Sequence, residues 1–414
     1  VITSVDDVTP SPGQERALDG VEDWFRRASS GDRAAPFYVL AGYAGTGKTT
    51  IARLLAKRLR GRPTYFVSFT GKAAHVLQRK GIEGARTIHS LIYSPVGKCA
   101  ARLDDLQKKL ASARSADPVD SLLVAEITRE VEREKENLRR PDFTLNFESD
   151  VLTASLVVVD EYSMVSEQVG SDLLSFGVPV LALGDPGQLP PVKADCFFSG
   201  RPDHMLTEIH RQALDNPVLA LAWRAREEGR LPRGTHGESL VALRRDISDR
   251  RLDQLMLGAD QILVGTNATR RQVNREVRRL TGRKGILPVP GDKLVCVRNN
   301  REDGLLNGQI WYAEEVAPKG DLFLTARIRG EDGQVVTCDA HRCYFDGNPR
   351  EDLVDPWFRN RANELDFGYA LTVHRAQGSE WDRVLVFDEW RFDDRKRWLY
   401  TAVTRAAESV VVVS

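Results

Sequence analysis

The stretch FYVLAGYAGTGKTTIARLLAKRL, residues 37–59, decides the fold. It opens on an apolar run with the length of a buried strand, turns through glycines and continues as a helical pattern. Strand, glycine-rich loop and helix in that order begin an α/β nucleotide-binding domain. GYAGTGKT at 42–49 fits G-x-x-x-x-G-K-[ST] in the context that motif demands. Gly42, Gly45 and Gly47 let backbone N–H groups wrap phosphate oxygens, and the helix N-terminus adds positive potential. Lys48 is placed to reach the β- and γ-phosphates, and Thr49 to bind Mg²⁺.

Outward from this loop, LVVVDE at 156–161 is the matching second half. Its apolar residues carry Asp160 to the carboxyl end of a buried strand, where open α/β sheets bind ligands. Asp160 is expected to hold Mg²⁺ through water, and Glu161 to polarise the attacking water. A helix is expected over 14–30, and strands at Thr64–Ser68 and in VPVLALG at 178–184. From about 206 a second α/β unit begins, with strands in QILVGT (261–266) and RVLVFD (383–388). Between those strands, segment 285–348 alternates short strands with turns and reads as an inserted small β-barrel. Segment 98–140 is highly charged. Leu103, Leu106 and Leu110, then Leu123, Ile127 and Val131, suit two amphipathic helices broken near Asp117-Pro118. A charged linker is the alternative for that segment.

Composition sets limits. The 414 residues imply two to four domains. The formal net charge is zero, so any basic surface is local. The five cysteines, Cys99, Cys196, Cys296, Cys338 and Cys343, form no CxxC pair, which argues against a zinc site or disulfide framework and points to a reducing cytoplasm. The first fifteen residues do not read as a signal peptide, and no apolar run is long enough to span a bilayer.

Taken together the motifs resemble the superfamily 1B helicases of the RecD/Dda type, in order from Gln14 to Arg405. SPGQERAL (11–18) looks like the Q-motif and makes Gln14 the adenine reader. FTGKAA (69–74) is similar to motif Ia, and TIHSLI (87–92) to the element after it. DEYSM (160–164) resembles motif II, with Tyr162 where alanine is common. GDPGQLPPV (184–192) resembles motif III, which implies that Gln188 senses the γ-phosphate. HRQ (210–212) and YTAVTRA (400–406) resemble motifs IV and VI, giving Arg211 and Arg405 arginine-finger roles; spacing alone would leave either as a surface ion pair. LTVHRAQGSEWD (371–382) resembles motif V, with Arg375 where lysine is usual. The nucleotide set implied is Gln14, Gly42, Ala44, Gly45, Thr46, Gly47, Lys48, Thr49, Thr50 and Gly378.

The resemblance implies two RecA-like domains in tandem. Residues 1–97 and 141–200 form the first and 201–284 and 349–414 the second, with 285–348 an SH3-like subdomain. Segment 98–140 falls where the family places a strand-separating β-hairpin pin, and here the sequence departs by reading helical. A translocase grips phosphates and stacks bases without reading sequence. The nucleic-acid set is Thr70, Lys72, Thr87 and His89 from the first domain, and Asn267, Thr372, His374 and Gln377 from the second. His89 or Trp381 can stack on a base, the alternatives being a structural histidine and a core tryptophan. The basic helix Thr269–Arg279 reads equally as a nucleic-acid face or a solvated one.

The expected activity is ATP- and Mg²⁺-dependent 5′→3′ translocation on single-stranded DNA with separation of tailed duplexes. The expected setting is a cytoplasmic monomer working with single-strand-binding or replication proteins and no membrane. The alternatives are a protein-displacing translocase, the motor subunit of a larger recombination, repair or conjugation complex, and a nucleotide-gated binding module.

Overall fold

The computed structural model describes residues 10–31, 35–58, 63–95, 100–116, 120–139, 143–191, 195–208, 216–300, 303–346 and 356–414. Arg211, Cys99, the helix break at Asp117-Pro118 and the Thr49 side chain lie outside the described residues.

The first domain is a parallel sheet of β1 (Phe37–Gly42), β2 (Thr64–Ser68), β3 (Arg86–Thr87), β6 (Leu156–Asp160), β7 (Val180–Gly184) and β8 (His204–Leu206), in the order β3-β2-β6-β7-β1-β8. The central strand β7 is buried along its whole length, and β6 along all but Asp160, because helices cover both faces. Helix Pro12–Ser29 closes one face. Ser11 caps it, Pro12 starts it, and Gln14 completes a capping box by bonding back to Ser11. β8 pairs with β1, so the first sheet runs past position 200, where the sequence reading closed this domain.

Between β3 and β6 the chain leaves through β4 (Tyr93–Pro95) and returns through β5 (Phe143–Leu145), an antiparallel pair. That ribbon roots the charged insertion, which is indeed helical: Ala100–Arg114 and Ser121–Arg139. Leu103, Leu106 and Val131 pack a small core with Leu110 and Ile127. Leu123 was expected on that face but is exposed, as is Leu122.

The second domain's strands are β9 (Gly234–His236), β10 (Ser239–Ala242), β11 (Gln261–Val264), β17 (Ala370–Thr372), β18 (Trp381–Phe387) and β19 (Ala406–Val413). They form one sheet in the order β17-β11-β18-β19-β10-β9. Only the β9–β10 pairing is antiparallel. The two domains are RecA-like and stand in tandem.

The β insertion consists of β12 (Lys293–Cys296), β13 (Ile310–Lys319), β14 (Phe323–Gly330), β15 (Val335–His341) and β16 (Leu365–Phe367), an antiparallel sheet around its own core. A bridge between Ala340 and Asn363 joins β15 to the residues entering β16, so the two edges meet. The fifth strand lies beyond residue 348, the expected end of the insertion.

The basic helix, Asn267–Leu280, corrects the sequence reading at two positions. Arg270 is buried against Asp366 at 2.6 Å, and Arg278 against Asp292 at 3.1 Å. Arg278 also donates to the carbonyls of Gly285 and Leu287. These arginines tie the second domain to the β insertion rather than facing nucleic acid or water. Removing one partner of such a pair leaves a buried charge uncompensated. Among the described residues no helix is long and apolar enough to cross a membrane.

Candidate nucleotide site and nucleic-acid groove

The loop after β1 folds as its glycines require. Gly45 and Gly47 have φ of 79° and 82°, in the left-handed region that favours glycine. At Gly42 an added Cβ would lie 2.6 Å from Thr46 Oγ1. Lys48 opens the following helix, and its Nζ donates back to the carbonyls of Gly42 (2.6 Å) and Tyr43 (3.0 Å). The Gln14 amide accepts from Ser11 N and donates to Thr46 O at 3.2 Å, which binds the Q-like segment to the loop backbone.

Asp160 ends β6 beside the loop. Burial, and then the neighbouring Glu161 carboxylate, push Asp160 up to about 7. Glu161 has φ of 56°, the sole non-glycine among the described residues with positive φ. That conformation costs on the order of 1–3 kcal/mol. Its Oε2 is buried without a hydrogen-bond partner, as is Gln188 Oε1. No cluster of three or more His, Cys, Asp or Glu side chains converges for a metal among the described residues. One or two carboxylates and substrate phosphates are how Mg²⁺ is usually held, so this acid pair fits it. Tyr162, the departure from alanine, fits because Gly184 leaves space: a Cβ there would lie 2.6 Å from the Tyr162 ring.

A cavity of about 440 Å³ joins the two domains at this point. Ala44, Gly45, Gly47, Lys48, Thr50, Asp160, Glu161 and Gln188 face it from the first domain. Gly378, Ser379 and Arg405 face it from the second. Arg405 is buried and held by the carbonyls of Thr401 and Ser379 and by Thr404 Oγ1. The structure therefore brings Arg405 to the cleft. Gly378, at φ 71°, packs against Thr70 and Ala73 of the first domain.

The loop Asp185–Leu189 is the first domain's key into the second. Leu189 is fully buried within the second domain's core. Its N–H donates to Thr401 Oγ1 (3.0 Å), and its carbonyl accepts from Gln377 Nε2 (2.6 Å). Burying one leucine contributes about 1.5–3 kcal/mol, and each hydrogen bond about 1 kcal/mol. Tyr400, on helix Arg395–Val403, donates to Asp185 Oδ2 (2.5 Å) and accepts from the Ala44 N–H (2.7 Å). Burial and Asp185 raise the Tyr400 phenol well above its ordinary range, so it stays protonated.

On the other side of the 377–379 segment lies a groove of about 560 Å³. Thr70, Lys72, Asn267, Thr372, His374 and Gln377 all line it. Thr70 caps helix Gly71–Arg79, Thr372 accepts from Arg375 N, and Asn267 begins its own helix. Small polar groups therefore stand at chain turns facing the groove. Lys72 Nζ sits 4.2 Å over the Trp381 ring with no hydrogen-bond partner, and burial pulls it down to about 8. Trp381 is 8% exposed and belongs to the core, so its stacking role is withdrawn. Thr87 and His89 do not line the groove. Thr87 caps helix Ile88–Ile92, and His89 packs among Phe69, Tyr93 and Phe143 where the insertion is rooted.

Sequence reading missed several contributors. Tyr400 and Thr401 were visible only as flanks of Arg405. Trp390 lines the groove beside His374, at 5.4 Å between rings, and no motif flagged it. Asn307 and Gly308 of the β insertion line the groove too, and the adjacent Leu306 packs over Gly71. Both lie in segment 285–348, which the sequence assigns to the insertion and not to a site.

The AAA domain family matches residues 26–243, over half of the chain, and the UvrD-like helicase C-terminal domain matches residues 367–413. The chain is 30% identical over 404 residues to the ATP-dependent RecD2 DNA helicase of Deinococcus radiodurans, covering 89% of this chain and 46% of that protein. It is 26% identical over 439 residues to the RecBCD enzyme subunit RecD of Mycobacterium tuberculosis, covering 94% of this chain and 68% of the relative. The chain thus spans about half the length of the RecD2 relative. A solved structure described as unwinding of forked double-stranded DNA by two coordinating Pif1 helicases has a TM-score of 0.52 at 16% identity, covering 98% of this chain and 92% of that one. That likeness is one of fold.

Proposed function

The chain belongs to the RecD-like superfamily 1B helicases, on an AAA domain, and from that premise we propose an ATP-driven DNA helicase that moves 5′→3′ along single-stranded DNA. The observation that carries this reading is the 377–379 segment. Gln377 faces the groove, Gly378 faces the cleft, and Ser379 lines both. Groups that contact a strand and groups that contact a nucleotide therefore stand on one short run of backbone, hydrogen-bonded to the 185–189 loop.

In the cleft, Lys48 exchanges its backbone carbonyls for the β- and γ-phosphates. Glu161, with an acceptor oxygen buried and unused, orients the attacking water. Gln188 reads the γ-phosphate, and Gln14 supports the adenine side. Arg405, and Arg211 by family resemblance, stabilise the charge developing on the transferred group. Asp160 and Thr49 are the residues that would hold Mg²⁺, which when bound neutralises phosphate charge. In the groove, Lys72 supplies charge to a phosphodiester, and Thr70, Asn267, Thr372 and His374 supply contacts that slide. The insertion 98–140 is the strand-separating element, the β insertion is the SH3-like module, and single-stranded and tailed duplex DNA are the substrates.

The test is ATP hydrolysis with and without single-stranded DNA, then RNA, followed by unwinding of a 5′-tailed duplex. Strong stimulation by DNA together with unwinding is expected; hydrolysis indifferent to nucleic acid would remove the proposal. The likeness to RecD, named as a subunit of the RecBCD enzyme, and to a conjugal transfer protein supports a second reading, a motor module within a larger recombination or conjugation assembly. Gel filtration and pull-down with replication or recombination proteins separate the two.

A further inference from the structure

The carboxyl edge of the second sheet holds another cavity, of about 490 Å³, that the reading above leaves unused. It lies beyond the ends of three adjacent strands: β10 at Ala242 and Leu243, β18 at Asp388, and β19 at Val412. Carboxyl edges are where open α/β sheets bind ligands. Five arginines line this cavity, Arg224, Arg230, Arg233, Arg391 and Arg395, against two carboxylates, Glu228 and Asp388. Asp388 is taken up by Arg395 at 2.6 Å and by Arg391 at 3.3 Å. Glu228 is taken up by Arg224 and, at 3.6 Å, by Arg230. Arg233 is exposed and makes no ion pair among the described residues. Positive charge is in excess, and most of it stands on exposed side chains.

The wall between this cavity and the groove is the segment after β18. The Trp390 ring lines the groove. On the cavity side the Trp390 carbonyl accepts from Arg391 Nη1 (3.0 Å) and Arg395 Nη1 (2.6 Å). Phe392 is 65% exposed, and its ring centre lies 4.7 Å from that of Trp390. An exposed ring, Phe392, backed by the half-buried Trp390 and with arginines behind it is a combination that binds a flexible strand, a ring for base faces and guanidinium forks for phosphates.

We propose that the arginine cavity continues the nucleic-acid track, and that it takes the phosphodiesters of the single strand beyond the groove with Phe392 as the stacking platform at the crossing. This inference rests on the groove being the strand-binding site. A strand occupying the groove alone does not reach these arginines; a longer one does.

The experiment measures anisotropy of labelled oligodeoxythymidylates of about 6 to about 20 nucleotides, a range that brackets common single-strand site sizes. It compares wild type, the triple variant Arg230→Ala/Arg233→Ala/Arg391→Ala, and Phe392→Ala over a range of salt. All three are expected to bind the shortest oligomer alike. On the longest, the triple variant is expected to lose about tenfold in affinity, and its slope of log K against log salt to fall by about 2, from three lost phosphate contacts at roughly 0.7 each. Equal affinity and slope at every length would overturn the proposal. So would a loss as large on the shortest oligomer as on the longest, which would place these residues in the groove or in the fold. A loss found with blunt duplex and not with single strands would assign the cavity to duplex instead. Wild type that binds no oligomer at any length would remove the groove reading, and this inference with it.

Discussion

The cleft and the groove are bounded by the same two domains and share Ser379, yet their electrostatics are left incomplete in opposite senses. The buried orphan atoms of the cleft are acceptors, Glu161 Oε2 and Gln188 Oε1. The buried orphan of the groove is a donor, Lys72 Nζ. A buried polar atom without a partner costs about 1–3 kcal/mol, so each cavity is poised for what completes it. The two orphan acceptors of the cleft lack a donor or cation, which a water and a metal ion supply. The orphan ammonium of the groove lacks an acceptor, which a phosphate supplies. The cationic and amide groups of the cleft hold provisional partners that a nucleotide can displace: Lys48 on two carbonyls, Ala44 N–H on Tyr400.

The sharpest way to break this contrast is Glu161→Gln, which removes the base while keeping the shape. Hydrolysis is expected to fall by about two to four orders of magnitude, with nucleotide binding retained in a fluorescent-nucleotide titration. Loss of binding together with hydrolysis would make Glu161 a structural residue of the strained turn.

Arg405→Ala tests the second domain's share of the cleft. Turnover is expected to drop by about a thousandfold, as for arginine fingers, while nucleotide affinity changes much less. Near-wild-type steady-state rates would leave Arg405 as a prop for the 379 and 401 carbonyls it now holds.

Tyr400→Phe probes the link between the two domains at the cleft. It keeps the ring and deletes the hydroxyl that joins Ala44 N–H to Asp185. Stimulation of hydrolysis by single-stranded DNA is expected to fall by about tenfold, the scale of one charge-assisted hydrogen bond at about 1.5 kcal/mol. Affinity for the strand should be unchanged; a parallel loss of strand affinity would mean that the hydroxyl supports the groove and not the coupling.

The smallest effect concerns pH. Burial lowers Lys72 to about 8, so below that pH it is charged and attracts phosphate, and above it the charge is lost. Strand affinity is expected to weaken severalfold between about pH 7 and about pH 9, and Lys72→Arg, which stays charged, should flatten the profile. An identical profile in both proteins would take Lys72 out of the phosphate contacts.

Much of the nucleotide cleft could be read directly. Its glycines, Lys48, Asp160 and Glu161 occupy one β-loop-α unit and one strand end, and both are local patterns. The groove was readable in part. Thr70, Lys72, Asn267, Thr372, His374 and Gln377 follow strands of the two sheets and converge because carboxyl strand ends face one cavity. Thr87 ends a strand and His89 follows it, but β3 is an edge strand of its sheet, and the ribbon rooting the insertion claims His89 for an aromatic cluster. Trp381 looked available because it follows a polar motif, and the packing of the second core absorbs it.

By itself the sequence determined the two α/β units, the phosphate loop, the acid pair and the two insertions, because each is set by hydrophobic period, glycine placement or strand length within a few dozen residues. Only the tertiary structure decided what joins them. Tyr400 meets Asp185 across 215 positions, and Gln377 meets Leu189 across 188. Arg270 and Arg278 read as a solvated face until Asp366 and Asp292 are brought against them. A hydrogen bond or ion pair between distant segments leaves no periodic trace along the chain. Its partners become identifiable only when the two domain sheets and the β insertion are brought against one another.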